Sequence, residues 1–495
     1  MKDLLHLTKT DNVAVALHDI KAGETASGDG LSLTAGTDVP RGHKLALTRL
    51  PAGSPVIKYG APIGHLTQDV EAGAWVHSHN LATNLAAELD YVYAQDLAPV
   101  AHPPDPRTFA GYRRPDGRVG VRNDLYVVPM VGCVNGSAQI AVRTLRQRHP
   151  EGLPFDNVIV CEHPYGCSQL GGDHETTRRI LADIVAHPNA GGVLVFGLGC
   201  ENNTMDAFRQ LLGPVDEDRV KFLVAQQVAD ETDAAVALME QLAEAARPDH
   251  REEVPLSELT IGLKCGGSDG FSGVTANPLL GMLSDFLISQ GGAAVLTEVP
   301  EMFGAETRLM ARARDEKTFA AIVGLINGFK RYYLDAGEPV YENPSPGNRA
   351  GGITTLEEKS LGCTMKSGTS AVVDVVPYGG RIRQPGLSLL EGPGNDLVSA
   401  TNLAASGCQM VLFTTGRGTP FGVFVPTLKV STTSELAAAK PHWIDFDAGR
   451  LFTEDAPAVL ASLIDRVIAA AGGERTHNET QGFQEIAIFK NGVTL

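Results

Sequence analysis

The sequence predicts an α/β protein: a small β-rich module followed by larger units built on mostly parallel sheets. Three observations lead there. Short apolar or alternating runs, punctuated by glycine and proline, fill residues 1 to about 85. From about residue 111 the pattern becomes strand, loop, helix, several times over, as in parallel sheets with crossover helices. Several of those strands end in a glycine beside a cysteine, so reactive side chains collect past the carboxyl ends of strands, where open α/β sheets bind ligands.

A chain of 495 residues with 43% hydrophobic content has room for two to four domains and a large core. It holds no run of 18 apolar residues, so no membrane span is expected. A net charge of −17 argues against nucleic acid as a partner. It leaves room for an acidic small-molecule substrate held by local arginines and lysines. The start, Met1-Lys-Asp-Leu-Leu-His6, is charged and polar where a signal peptide is apolar, which points to the cytoplasm. Seven cysteines, an odd number, do not suggest a disulfide framework. Taken singly, each reads as a buried apolar residue.

In the first module, Val13–Leu17, Lys44–Leu47 and Val56–Lys58 read as short strands. The module closes on Ala74-Trp75-Val76-His77-Ser78-His79-Asn80. In an alternating strand His77 and His79 share a face, ready for a metal or an anion, or else forming the polar face of an edge strand. The proline-rich stretch around Ala101-His-Pro-Pro-Asp-Pro-Arg107 reads as a linker. The expected division is 1–95, a linker at 96–110, then units at 111–250 and 251–495.

In the second unit, Asp124–Met130 is a strand ending near Cys133 and leading into a helix to about Arg148. Asn157–Val160 leads to Cys161 and Cys167, Gly192–Phe196 to Cys200, and Lys221–Val224 to Gln226-Gln227. Cys133, Cys167 and Cys200 thus lie just past strands, each beside glycine, and Cys265 adds a fourth in the third unit. Thiolates gathered this way hold iron directly or as an iron–sulfur cluster. There is no Cys-x-x-Cys pair, so that reading depends on the fold.

The third unit begins with the apolar strand Leu259–Leu263 and a glycine-rich loop carrying Cys265, Ser268 and Asp269. Glu298 and Glu301 follow another strand, and Leu309–Leu334 reads as one helix with a charged face. Residues 341–352, rich in proline, glycine and asparagine, read as loop throughout, and long ordered loops are usually functional. Glu357, Glu358 and Lys359 open a helix running toward Cys363 and Lys366. Ala371–Val376 and Gln409–Phe413 are strands, the latter ending in Thr414-Thr-Gly416-Arg417-Gly418. Backbone N–H groups beside a guanidinium make an anion clamp there. The spacing is that of neither a Walker loop nor a dinucleotide fingerprint. An amphipathic helix over about Ala456–Ala471 closes the pattern.

Arg41-Gly-His-Lys44, Val56-Ile-Lys-Tyr-Gly60, Val131-Gly-Cys-Val-Asn-Gly136, Tyr165-Gly-Cys-Ser-Gln-Leu170 and Gly197-Leu-Gly-Cys-Glu-Asn-Asn203 together resemble the altronate/galactarate dehydratase family. So do Cys265-Gly-Gly-Ser-Asp-Gly270, Leu296-Thr-Glu-Val-Pro-Glu-Met-Phe-Gly-Ala305, Asn343-Pro-Ser-Pro-Gly-Asn348 and Thr414-Thr-Gly-Arg-Gly-Thr-Pro420, in order along the whole chain. The resemblance implies an amino-terminal SAF domain of the β-clip type and two Rossmann-like α/β domains. It implies a cytoplasmic hydro-lyase that converts D-altronate to 2-dehydro-3-deoxy-D-gluconate in hexuronate breakdown. The His77-Ser-His79 pair leans toward the altronate branch. Galactarate dehydration, sulfolactate desulfonation and non-catalytic sugar-acid binding are the alternatives.

It also implies iron. Fe²⁺ at a domain junction is expected, mononuclear in preference to an iron–sulfur cluster, with Mn²⁺ or another divalent ion as substitute. The candidate ligands are His77, His79, Cys133, Cys167, Cys200 and Cys265. Asp269, Glu298 and Lys359 are the candidate acid–base groups. Ser268, Asn348, Gly416, Arg417 and Gly418 are the candidate substrate contacts. No sequence feature decides whether the chain forms a homo-oligomer.

Overall fold

The computed structural model describes residues 2–85, 88–97 and 106–495. Most of the expected linker, 98–105, lies outside the described residues.

The amino-terminal module is all β. Leu4–Leu5, Val13–Ala16, Lys44–Ala46 and Trp75–Val76 form one antiparallel sheet; Pro55–Lys58, Ala61–Leu66 and Leu81–Ala82 form another. Val13, Ala46, Val56, Ile63 and Val76 fill the space between them, together with Leu361 from the third unit. The module is therefore packed onto the body.

The second unit is a four-stranded parallel sheet in the order Val158–Val160, Asp124–Pro129, Ala190–Gly197, Val220–Val224. Side chains alternate across a strand. Leu125 and Val127 thus join Ala138, Leu145, Ala235 and Leu242 of helices Asn135–Arg148 and Glu231–Ala246. Tyr126 and Val128 face the other way, into a cluster with Ile180, Leu403 and Phe424 that is shared with the third unit. Two faces buried on apolar partners explain why these strands read as continuous hydrophobic runs.

The third unit carries a seven-stranded sheet in which every neighbouring pair is parallel: Val372–Val376, Gly386–Leu390, Ala293–Leu296, Thr260–Cys265, Met410–Thr415, Thr427–Ser431, Phe446–Asp447. The strand ending at Cys265 is in the middle, so its carboxyl end opens where the crossovers diverge. An antiparallel brace, Val119–Gly120, Thr108–Arg113 and Glu252–Pro255, lies beside the two units. None of the described helices is long and apolar enough to cross a membrane.

Three expectations need correcting. The helix over Leu309–Leu334 is two, Glu306–Ala311 and Glu316–Asp335, because the Asp315 side chain accepts from Thr318 N and starts a new helix. The polar stretch 341–352 is not loop throughout: Ser345 caps the short helix Pro346–Ala350. And the strand Trp75–Val76 stops before the histidines, because residues 77–80 turn, with Asn80 N and Leu81 N both donating to His77 O. His77 is buried and His79 exposed, so strand alternation does not align them.

Candidate active site

Thr260–Cys265 delivers two reactive side chains at its end. Lys264, fully buried, donates to Asp396 Oδ1 at 2.7 Å, to Cys265 O at 2.7 Å and to Glu298. Asp396 approaches this closely only because residue 266 is glycine; a Cβ there would stand 2.6 Å from Asp396 Oδ2. Glu298 follows the neighbouring strand in a left-handed conformation, φ 69° and ψ 61°. A glutamate held there is strained, and strain of this kind gathers at functional sites.

Beside this pair, Cys265 Sγ lies 3.0 Å from Glu301 Oε2 and 3.4 Å from Cys363 Sγ. Lys359 donates to Glu301 at 2.7 Å and to Asn343 Oδ1 at 3.2 Å, and Lys366 stands 3.8 Å from Glu298. Lys359 and Cys363 reach the cluster together because residues four apart share a helix face, here the face of Leu356–Thr364, whose residues are all buried.

Burial alone would drive Lys264 toward neutrality, but the Asp396, Glu298 and Glu301 carboxylates outweigh it and hold the ammonium. Lys359 is raised in the same way by Glu301, and Lys366 by the sulfurs and carboxylates around it. Burial pushes Glu301 up, yet Lys359, Lys264 and Lys366 together leave it well below the usual range. Glu298 is pushed up by burial, Cys265 and Glu301, while Lys264 pulls the other way. Direct contact with an ammonium favours the ionised form, so Glu298 is a carboxylate that takes up a proton easily. A hydrogen bond from Cys363 lowers Cys265 and raises Cys363.

Among the described residues, Cys265, Glu301 and Cys363 are the group of His, Cys, Asp and Glu whose ligand atoms all lie within 4.8 Å of one another. They fit a divalent ion on two grounds. Two soft sulfurs and a carboxylate suit iron or zinc, and three protein ligands leave a position open. The charges also match: Lys264, Lys359 and Lys366 balance Glu298, Glu301 and Asp396, so a dication answers two thiolates. Metal ligation requires that the thiols be deprotonated.

The same helix carries the contact with the β module. Glu358 accepts from Lys44 at 2.8 Å and Lys58 at 2.7 Å, all three side chains being about 1% exposed. Burial would raise Glu358, but the two lysines bring it down to about 2. Burial brings Lys44 down to about 8 in spite of Glu358. His77 Nδ1 is 2.9 Å from Thr354 Oγ1, which also accepts from Lys44, and burial beside Lys44 brings His77 down to about 4. The Trp75 ring lies against both His77 and His79, at 5.2 and 5.1 Å between centroids.

Asp269 accepts from Phe271 N and Ser272 Oγ, both at 3.1 Å, and from Thr432 Oγ1 at 3.0 Å. It shapes the loop, and residue 416 must be glycine because a Cβ there would meet its carboxyl at 2.2 Å. Asn348 Nδ2 donates to Ser268 O at 2.8 Å, and Gly416 N and Arg417 N donate to Gly267 O. The structure thus brings Ser268, Asn348, Gly416 and Arg417 around one loop. The Arg417 side chain is exposed and has no hydrogen bond or ion pair among the described residues.

Cys133, Cys167 and Cys200 lie on neighbouring strand-end loops of the second unit, and all three are exposed. A cavity of about 750 Å³ lined by Arg114, Arg179, Arg219 and Arg381 opens at the amino ends of that sheet's strands, near Ala190 and Val220. That is the end opposite to where such sheets bind ligands, and Arg219 and Arg381 are already paired with Asp249 and Asp183.

Sequence reasoning missed Lys264, Glu301, Cys363, Lys366, Asp396 and Glu358 as site residues. Two signals were present. A lysine next to the end of an apolar strand is rarely buried without partners, and Lys359 and Cys363 have helical spacing.

Family profiles match three successive stretches: the altronate/galactarate dehydratase SAF domain over 2–84, the D-galactarate dehydratase/altronate hydrolase second domain over 111–247, and the D-galactarate/altronate dehydratase C-terminal domain over 256–494. The chain is 55% identical to altronate dehydratase of Bacillus subtilis (strain 168) over the full length of both. It is also 55% identical to altronate dehydratase of Escherichia coli (strain K12), over 98% of each. Against galactarate dehydratase (L-threo-forming) of the same organism the identity is 34%, over 97% of this chain and 95% of that one.

Proposed function

The chain belongs to the altronate/galactarate dehydratase family, and from that premise we propose that the pocket at Lys264, Cys265, Glu298 and Lys359 dehydrates D-altronate to 2-dehydro-3-deoxy-D-gluconate. The enzyme is a hydro-lyase of hexuronate catabolism. The observation that carries the altronate reading is full-length identity of 55% with two altronate dehydratases, against 34% with the galactarate enzyme.

The reaction removes the weakly acidic proton on C2, expels hydroxide from C3, and lets the resulting enol become a ketone. Charge therefore builds on the C1 carboxylate, and a poor leaving group needs a proton. We assign Arg417, with the Gly416–Gly418 backbone, to the C1 carboxylate, because its planar fork is unpaired and exposed. Glu298 takes the C2 proton, Lys264 beside it keeping the carboxylate ionised between turnovers. Lys359, held as an ammonium by Glu301, donates toward the departing hydroxyl instead of acting as a base. Asp269 positions the loop, all its contacts being internal. Ser268 of that loop and Asn348 of the facing short helix Pro346–Ala350 line the substrate.

For the metal we favour Cys265, Glu301 and Cys363 over the histidines, with Fe²⁺ as the ion and Mn²⁺ as a substitute. Bound there, it would supply Lewis-acid polarisation of the substrate's carboxylate and hydroxyl oxygens. Seven free cysteines are in keeping with a reducing compartment such as the cytoplasm, the location we propose.

The test is a side-by-side assay of altronate, galactarate and sulfolactate, following the 2-keto acid or sulfite released. Turnover of altronate at least about tenfold above the others in kcat/KM is expected; a preference for galactarate or sulfolactate would overturn the assignment.

A further inference from the structure

Four of the seven cysteines are buried, and the three that are exposed, Cys133, Cys167 and Cys200, all follow strands at one edge of the second unit's sheet. Cysteine is among the most buried of residue types, so three open thiols on one edge call for a reason. Their strands are adjacent: Asp124–Pro129 lies between Val158–Val160 and Ala190–Gly197. Their loops are also tied together. Gly132 N donates to Tyr165 O at 2.9 Å, Asn203 N to Gly166 O at 3.1 Å, and Ser168 N to Asn202 Oδ1 at 3.0 Å. Each bond sits within three residues of a cysteine on both sides.

Two sulfurs already have donors, Gln226 Nε2 to Cys200 at 3.6 Å and Ser168 Oγ to Cys167 at 3.8 Å. Hydrogen bonds of this kind tune sulfur-ligated iron. The polar side chains Gln169 and Asn203, 3% and 1% exposed, each keep one buried atom without a partner, Nε2 and Oδ1 respectively. Asn135 Oδ1, two residues beyond Cys133, is a third. Every one of these three lies within three residues of a different exposed cysteine. Buried polar atoms are rarely left unpaired unless something else occupies the site.

A single tetrahedral ion is excluded by spacing. Metal–sulfur bonds of about 2.3 Å need sulfurs within roughly 4 Å of one another, and the three thiols do not form a group within 4.8 Å. A polynuclear cluster spreads its ligand sulfurs wider. We propose that Cys133, Cys167 and Cys200 hold a cubane iron–sulfur cluster through three thiolates, leaving one iron without a protein ligand. This site is separate from the Cys265–Glu301–Cys363 triad and does not depend on it.

The test starts from full-length protein prepared without oxygen and reconstituted with ferrous iron and sulfide. About five irons, one of them at the triad, and about four acid-labile sulfides per chain are expected, with a broad visible absorption that bleaches on reduction. Cys133→Ser, Cys167→Ser and Cys200→Ser should each abolish that absorption, whereas Cys363→Ser should keep it. The three replacements are near-isosteric at exposed positions, and circular dichroism checks the fold. A second measurement needs no variant: in the reconstituted protein the three thiols should be shielded from iodoacetamide together, by peptide mapping. Iron that stays at the triad's single equivalent with no sulfide bound, a cluster that survives all three serine variants, or independent alkylation of the three thiols in the loaded protein would each overturn the proposal.

Discussion

The two α/β units place cysteines at the same point of the same topology, past the carboxyl ends of parallel strands, yet with opposite surroundings. In the third unit the strand-end Cys265, joined by Cys363 from helix Leu356–Thr364, is buried among three lysines and three carboxylates. In the second, Cys133, Cys167 and Cys200 stand open to solvent. The difference comes from what covers the edge. Helix Leu356–Thr364 and the β module behind it close the third unit's edge, and loss of water couples its charges strongly. Topology fixes where a site forms; the covering element fixes how far its groups are perturbed.

The sharpest way to break this comparison is to loosen the cover. Glu358→Ala leaves Lys44 and Lys58 as unpaired buried ammoniums, which costs about 3–5 kcal/mol. A large fall in Tm is expected, with the β module undocked; an unchanged Tm would mean the cover does not depend on that triad. Acid should act in the same direction. Glu358 is lowered from 4.5 to about 2 in the folded protein, so its stabilisation is present above pH 4.5 and is lost as pH falls toward 2. That amounts to about 3 kcal/mol. Urea midpoints against pH should drop across this window, and the drop should shrink in Glu358→Gln.

Inside the covered pocket, Glu298→Gln should lower kcat by about 10²–10⁴-fold with little change in KM. A full-activity variant would remove Glu298 from the chemistry. At the rim, Arg417→Lys should raise KM by about tenfold or more, because lysine loses the bidentate fork; an unchanged KM would move the carboxylate site elsewhere. The smallest effect belongs to the open edge. In metal-free protein, Cys200→Ser should shift stability by no more than about 0.5 kcal/mol. A cost as large as that of Cys363→Ala would erase the contrast.

The sequence made the strand-end loops legible because apolar runs followed by glycine are local signals. Cys265 and Glu298 were found at strand ends and Lys359 at the start of a helix, and the structure brings them into one cluster. It also gathers Ser268, Asn348 and Arg417 around one loop. The histidine pair misled because alternation presumes a strand, and Asn80 turns the chain at His77 instead. Lys264, Glu301, Cys363 and Asp396 were missed for another reason. Their meaning lies in one another, and they come from four separate segments.

By itself the sequence determined the α/β class, the β-rich amino-terminal module, the family and the end of the sheet at which chemistry belongs. Those follow from periodicity, glycine placement and motif order, which are properties of neighbouring residues. Only the tertiary structure decided which of the seven thiols are dry and which carboxylates answer which lysines. Burial and charge pairing are set by residues up to hundreds of positions apart, and Lys58 meeting Glu358 across 300 residues has no trace in local pattern.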